Sequence, residues 1–147
     1  MWILVGMVSQ KSFDFLDVSK RHYTDAVLLQ ASARLPNAAQ LFGISAECGV
    51  KALIEKILNQ PLPKKFYKHA NVLVNLLPAF LVLTNGRQEA KYLAQIGMFK
   101  KFDTWDIQDR YRSETKIPLT KHMADWVVAS KEVQDVLTQA YLDGVFL

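Results

Sequence analysis

Hydrophobic residues recur at spacings of three and four along most of the chain, a periodicity that predicts helices. Predicted helices cover residues 12–34, 38–58, 69–83, 87–99 and 120–142. Pro78 is expected to kink or split the third helix. Apart from a short apolar run at the N-terminus, no stretch alternates as a β-strand would. The pattern therefore predicts an all-α fold, an up-and-down bundle of four to five helices.

The predicted second helix is apolar around most of its circumference, which is typical of a central, buried helix. Its small residues would let a neighbouring helix approach closely, so Gly49→Leu is expected to destabilise the bundle. Asn37 and Gln40 fit a capping box at its start. On the remaining polar strip, Glu47 and Lys51 are spaced for an intrahelical ion pair, and that pairing could be their whole role.

Two polar connections carry candidate binding residues. The first, around residues 64–68, is basic and contains two aromatic residues. The second, residues 100–118, and the start of the last helix supply arginine donors for phosphate and a tyrosine face for stacking. The predicted functional surface is this second region: Arg110, Tyr111, Arg112, Lys121 and His122. The alternative is an ordinary loop in which Tyr111 covers the end of the bundle.

Composition predicts one globular domain. Half of the 147 residues are hydrophobic and 22% are charged, so a substantial core is possible. Residues 12–147 are interpreted as this domain, and residues 1–11 as an apolar tail or a misannotated start, with Met7 as the alternative first residue. No apolar stretch is long enough to span a bilayer. Because a single cysteine allows no internal disulfide, we expect a cytoplasmic protein without membrane contact.

Charge and ligand spacing narrow the chemistry only slightly. The formal charge of +4 permits an anionic partner but is also ordinary for a soluble domain. The spacing of histidine and cysteine fits no zinc site, and no phosphate loop or dinucleotide motif occurs, so no metal or cofactor is predicted. Asp103, Asp106 and Asp109 lack the glycine and final glutamate of a calcium loop and are expected to be helix caps or solvated charges.

Three further side chains have structural expectations. Cys48 lies in an apolar helical segment and is expected to be a buried, unreactive thiol. His22 lies on an apolar stripe and is expected to be a hydrogen-bonded packing residue. His69 is expected at a helix start or in an interhelical contact, and His122 in the first, solvated turn of the last helix.

The order of these features resembles the HEPN (higher eukaryotes and prokaryotes nucleotide-binding) domain family. The paired opening helices of that family resemble residues 23–29 and 37–53, where Glu47 precedes Lys51 by one helical turn. Lys68-His69 resembles the histidine that opens a later helix, and Arg110-Tyr111 resembles the pair before the last helix. The resemblance runs from about residue 12 to residue 141 and implies a helical bundle, often paired as a two-fold homodimer.

The resemblance implies either a binding module or a metal-independent ribonuclease, such as a toxin or defence component. In catalytic members four to six residues lie between an arginine and the histidine that follows it. None of the three histidines here has an arginine at that distance before it, and the closest imitation is Arg112 and His122, with nine residues between them. The prediction is therefore a non-catalytic homodimeric module that binds a nucleotide, RNA or a protein partner. The alternatives are a ribonuclease using Arg112 and His122, and a structural adaptor whose partner covers the apolar N-terminus.

Overall fold

The structure is a computed structural model that describes residues 13–147. Over this range it contains α-helices and 3₁₀ segments and no β-strand, so the predicted all-α class is confirmed. The helices are α1 (Phe15–Ala31), α2 (Leu35–Leu58), α3 (Ala70–Leu83), α4 (Ala90–Ala94) and α5 (Leu119–Leu142). None of these helices combines the length and apolarity needed to cross a membrane. The apolar run at residues 1–8 lies outside the described residues.

An antiparallel hairpin of α1 and α2 forms the start of the fold. Phe15, at the start of α1, lies 5.9 Å from the Lys51 Nζ atom in the second half of α2. Farther along α1, the Tyr23 ring packs edge-on against Phe42, nearer the start of α2, at 5.8 Å. The chain therefore reverses at residues 32–34, where Ala33 adopts a left-handed conformation with φ 58°.

A buried set of hydrogen bonds joins α1, α2 and α5. Ser19 and Ser45 each donate a hydroxyl to the other residue's backbone carbonyl at 2.7 Å. Gln134 of α5 donates its Nε2 to the Ser19 hydroxyl oxygen at 2.8 Å. Because a buried polar group that loses its partner is costly, these bonds define the register in which the three helices pack.

Helix α2 is the central element, as its apolar circumference predicted. It begins at Leu35 with Pro36 in the first turn, where a missing N–H group costs little. The predicted capping box of Asn37 and Gln40 is therefore wrong, since both residues lie inside the helix. Large, fully buried side chains come from α2 itself and from the chain that follows it: Phe42, Leu53, Phe66, Leu73, Phe99, Phe102, Trp105, Trp126 and Leu137.

Gly49 marks the closest approach of α5 to α2. A Cβ atom at this position would lie 2.5 Å from Val133 Cγ1 and 2.9 Å from Leu137 Cδ1. Gly49→Leu is therefore expected to lower the free energy of unfolding by about 3 kcal/mol, the upper end of ordinary overpacking. Urea denaturation measures the change, with Gly97→Leu as control because no atom lies within 4 Å of a Cβ there. Equal stability of the two variants would contradict a close contact at Gly49.

The prediction differs most from the structure between α3 and α5. The helix predicted over residues 87–99 is reduced to α4, and the chain continues in 3₁₀ segments at Gly97–Thr104, Ile107–Tyr111 and Glu114–Lys116. A 3₁₀ helix repeats every three residues and so aligns side chains at that spacing. The buried residues here have this spacing: Ile96, Phe99, Phe102 and Trp105.

The boundaries of α1 and α3 also differ from expectation. Helix α1 covers Phe15–Ala31 and is therefore shorter than the predicted range of residues 12–34. It begins at Phe15 because the Asp14 side chain accepts a hydrogen bond from the Asp17 backbone N–H and caps the helix. Helix α3 continues through Pro78 to Leu83, so a split at Pro78 is wrong. Pro78 is exposed, and solvent there can replace the backbone hydrogen bond that proline cannot donate.

Candidate functional site

A buried ion pair lies near the middle of α2. Lys51 Nζ is 2.9 Å from Glu47 Oε2, and the two side chains are only 9% and 7% exposed. The pair of Lys131 and Asp135 on α5 has the same spacing but is about two-thirds exposed. Removing charges from water costs several kcal/mol per ion, so the buried pair is not an ordinary solvated one.

His69 is the third member of this charged group. It occupies the N-cap position of α3, and its Nδ1 atom lies 3.2 Å from Glu47 Oε1. Both parts of the expectation for His69, a helix start and an interhelical contact, are confirmed. The Glu47 carboxylate therefore has one oxygen on Lys51 and the other on His69, while the histidine side chain remains 53% exposed.

A cavity of about 320 Å³ opens above this group, and we call it the α2 cavity. Its lining residues come from the chain just before α1, from the start of α1, from α2 and from the loop before α3: Phe13, Phe15, Lys51, Tyr67, Lys68 and His69. Three of them carry phenyl or phenol rings, and the other three are lysines and a histidine. The volume lies at the lower end of the range typical of small-ligand sites.

The segment before α5 is anchored next to the same stretch of α2. The Trp105 indole N–H donates to the Ala39 carbonyl oxygen at 3.0 Å, and the ring occupies the space left by Gly43. Gln40 donates its Nε2 to the Asp106 carbonyl oxygen at 2.9 Å. The buried Oε1 atom of Gln40 has no hydrogen-bond partner among the described residues.

Asp106 connects this segment with His69. Its carboxylate accepts a hydrogen bond from the Gln108 backbone N–H at 2.8 Å and pairs with Arg112 at 3.1 Å. The pKa of Asp106 is lowered, chiefly by the Gln108 bond, then by Arg112, with a smaller contribution from nearby His69. The expectation of a helix cap is thus confirmed for Asp106, and its carboxylate lies within electrostatic range of the α2 cavity.

Arg112 is held by two carboxylates. Its guanidinium donates to Asp109, whose side chain is buried, and to Asp106. These bonds, the one to Asp109 first, raise the pKa of Arg112. Arg110 instead lies 5.1 Å from the centre of the Tyr111 ring. Tyr111 is 74% exposed, so the alternative in which it covers the end of the bundle is wrong.

His122 lies in different surroundings from Arg112. It is in the first turn of α5, where its ring is partly buried and stacks on Trp126 at 5.9 Å. It lines a second cavity of about 320 Å³ together with Lys100, Lys101, Asp103, Thr104 and Asp125. The lining of that cavity does not include Arg112 or the exposed Lys121. The predicted surface is therefore divided into an Arg112 cluster, an exposed Arg110–Tyr111 pair and the His122 cavity.

Two other candidate groups are structural. Cys48 is buried, so the expected burial of this thiol is confirmed, and burial, followed by the charge of Glu47, raises its pKa to about 12. His22 is half-buried, and its buried Nδ1 atom lacks a hydrogen-bond partner within residues 13–147. The expectation that His22 is hydrogen bonded is therefore wrong at this atom.

Sequence reasoning missed the α2 cavity as a site, although it recognised most of its parts separately. In the loop that contributes Tyr67 and Lys68, two aromatic residues lie between lysines, and that composition was the available signal. Over residues 13–147, no three His, Cys, Asp or Glu side chains form a group that could hold a metal ion.

Comparison with known proteins gave no match to this chain among protein-family models, curated proteins or solved structures. The fold and the site define an all-helical protein in which a buried charged group lies at the base of an aromatic cavity.

Proposed function

We propose that this protein is a non-catalytic, HEPN-like module that binds a nucleotide or a short stretch of RNA in the α2 cavity. The observation that carries the proposal is the buried Glu47–Lys51 pair, joined by the half-exposed His69, beside a cavity lined by aromatic residues. The homodimer implied by the family resemblance is part of the proposal, and light scattering on the purified protein tests it.

The chemistry of the cavity suits a ligand with a flat apolar part and a negative charge. Phe15 and Tyr67 offer ring faces, and stacking a base on an aromatic side chain contributes about 1–3 kcal/mol. Lys68 offers an ammonium group for a phosphate, whereas the Lys51 ammonium group is already paired with Glu47. Because Glu47 holds Lys51 and His69 in position before a ligand arrives, binding would need little further ordering of these side chains.

The Arg112 cluster and the His122 cavity are less suited than the α2 cavity to binding a phosphate. Both neighbours of Arg112 are carboxylates, so a phosphate would have to compete with two existing ion pairs. The His122 cavity contains two aspartates beside its lysines, which offsets much of the attraction for an anion. A ribonuclease would need an arginine acting with His122 on the same phosphate, and Arg112 does not line the His122 cavity.

We expect Tyr67→Ala to weaken binding of a short single-stranded oligouridylate about tenfold, because one stacking platform is lost. Fluorescence anisotropy with labelled RNA measures the dissociation constant. Tyr141→Ala is the matched control, since Tyr67 and Tyr141 are 50% and 53% exposed and neither truncation should disturb the core. Tyr111→Ala, tested in parallel, is expected to leave binding unchanged.

Each contrary result points to a specific alternative. Loss of binding in Tyr111→Ala but not in Tyr67→Ala would move the site to the connection before α5. The RNA is also expected to stay intact in EDTA. Cleavage by the wild type that both Arg112→Ala and His122→Ala abolish would instead support the ribonuclease. Absence of any RNA or nucleotide binding by folded protein would contradict the proposal.

A further inference from the structure

The hydrogen bond to Glu47 sets the tautomer of His69. Glu47 forms an ion pair with Lys51 at 2.9 Å, and in its charged form a carboxylate can only accept hydrogen bonds. The proton of a neutral His69 ring must therefore be on Nδ1, the atom 3.2 Å from Glu47 Oε1. The other ring nitrogen, Nε2, is then a hydrogen-bond acceptor.

The Nε2 atom is available to a ligand. Nδ1 is directed toward a buried partner, whereas the side chain as a whole is 53% exposed and lines the α2 cavity. Within residues 13–147 Nε2 takes part in no hydrogen bond; the bond of His69 to Glu47 uses Nδ1 alone. Nε2 is therefore an acceptor of fixed orientation beside the lysine ammonium groups that also line the cavity.

Histidine is the side-chain type that changes charge between neutral and mildly acidic pH, and His69 is the histidine among the residues that line the α2 cavity. The charged or titratable side chains around it come from α2, from its own loop and from the segment before α5: Glu47, Lys51, Tyr67, Lys68, Asp106 and Arg112. Phe15 at the start of α1 and Phe13 just before that helix contribute uncharged rings. Protonation of His69 would convert Nε2 from an acceptor to a donor and add a positive charge.

We propose that His69 selects ligands that present an N–H or O–H donor to its Nε2 atom, and that protonation of His69 removes this selection. The inference rests on the proposed function and specifies which ligand groups the site recognises. In RNA the donor is either an N–H of the base or the 2′-hydroxyl of the ribose. Protonation would at the same time strengthen attraction for the phosphate groups.

The test compares three short oligonucleotides of equal length: oligouridylate, its N3-methyluridine counterpart and its 2′-deoxy counterpart. N3-methylation removes the base donor, and the deoxy sugar removes the hydroxyl donor. Hydroxyl ends exclude phosphate monoesters, which titrate in this pH range. For each modified oligonucleotide, the affinity ratio is its dissociation constant divided by that of oligouridylate. The steric effect of a methyl group does not depend on pH, so the change in this ratio between about pH 7.5 and about pH 5.5 reports the protonation of histidine.

At about pH 7.5 one of the two modifications is expected to weaken binding about fivefold, the equivalent of one neutral hydrogen bond. At about pH 5.5 that ratio should fall toward one, while all three oligonucleotides bind more tightly. The modification that has the effect identifies the donor as base or sugar. His69→Gln should bind without a pH-dependent ratio, because an amide can turn either its oxygen or its N–H₂ group toward the ligand.

His122→Gln is the matched control, because His122 lines the other cavity and should keep the wild-type ratios at both pH values. Ratios that do not change with pH, or that keep their pH dependence in His69→Gln, would overturn the inference while leaving the binding module in place. Failure of folded wild type to bind any of the three at either pH would overturn the proposed function and the inference together.

Discussion

Replacement of Lys51 by methionine is expected to lower the free energy of unfolding by about 3 kcal/mol or more. Methionine fills a similar volume, so packing changes little, but Glu47 loses the ammonium group 2.9 Å from its carboxylate. With a side chain only 7% exposed, Glu47 cannot recover that interaction from water. His69 remains as a partner, which places the expected loss at the lower end of the range for breaking a buried pair.

A double variant separates the net contribution of the ion pair to stability from the cost of removing only one partner. The free energy of unfolding of Glu47→Leu combined with Lys51→Met is expected to lie within about 1 kcal/mol of the wild-type value, because apolar residues often replace a buried ion pair without loss. Lys131→Met is the exposed control with the same helical spacing and is expected to change stability by less than about 1 kcal/mol. Urea unfolding followed by circular dichroism measures all three.

The double variant also separates folding from binding. If it folds like the wild type but binds oligouridylate weakly, the charges in α2 serve the ligand rather than the bundle. A Lys51→Met variant as stable as Lys131→Met would show that water reaches Glu47, and the buried site described above would be wrong.

The second large effect is expected at Gly43. A Cβ atom there would lie 2.0 Å from Trp105 Cε2, and Trp105 is only 1% exposed, so Gly43→Ala must displace the ring. The expected loss is about 3 kcal/mol or more, comparable with removing a buried aromatic side chain. The indole would also lose its hydrogen bond to the Ala39 carbonyl oxygen.

Tryptophan fluorescence and urea unfolding together test this expectation. A displaced, partly solvated Trp105 should shift the emission to longer wavelength, and the midpoint of unfolding should fall. Gly97→Ala is the control, because no atom lies within 4 Å of a Cβ at that position. Unchanged emission and stability in Gly43→Ala would mean that α2 and the segment before α5 are not in the close contact described.

Local pattern explains why the helices were predictable. The three- and four-residue spacing of apolar side chains depends only on helical geometry, so α1, α2 and α5 were placed within a few residues of their ends. The circumference of α2 likewise identified it as central. The same reasoning failed between α3 and α5, because burial of Phe99, Phe102 and Trp105 in the core favoured 3₁₀ geometry there.

The candidate site was predictable only in parts. The spacing of Glu47 and Lys51 indicated an ion pair, but the sequence contained no sign that both side chains are buried. The contact of His69 with Glu47 joins α2 to a loop 22 residues away. The proposed joint role of Arg112 and His122 remains a prediction, although each has other neighbours in the structure.

By itself, then, the sequence determined the helical class, the central position of α2 and the pairing of Glu47 with Lys51, because each follows from residues within one or two helical turns of each other. Only the tertiary structure decided that this pair is buried, that His69 joins it and that Trp105 packs against Gly43. Burial and long-range contacts depend on how the elements pack together, and residue spacing within one element does not determine that packing.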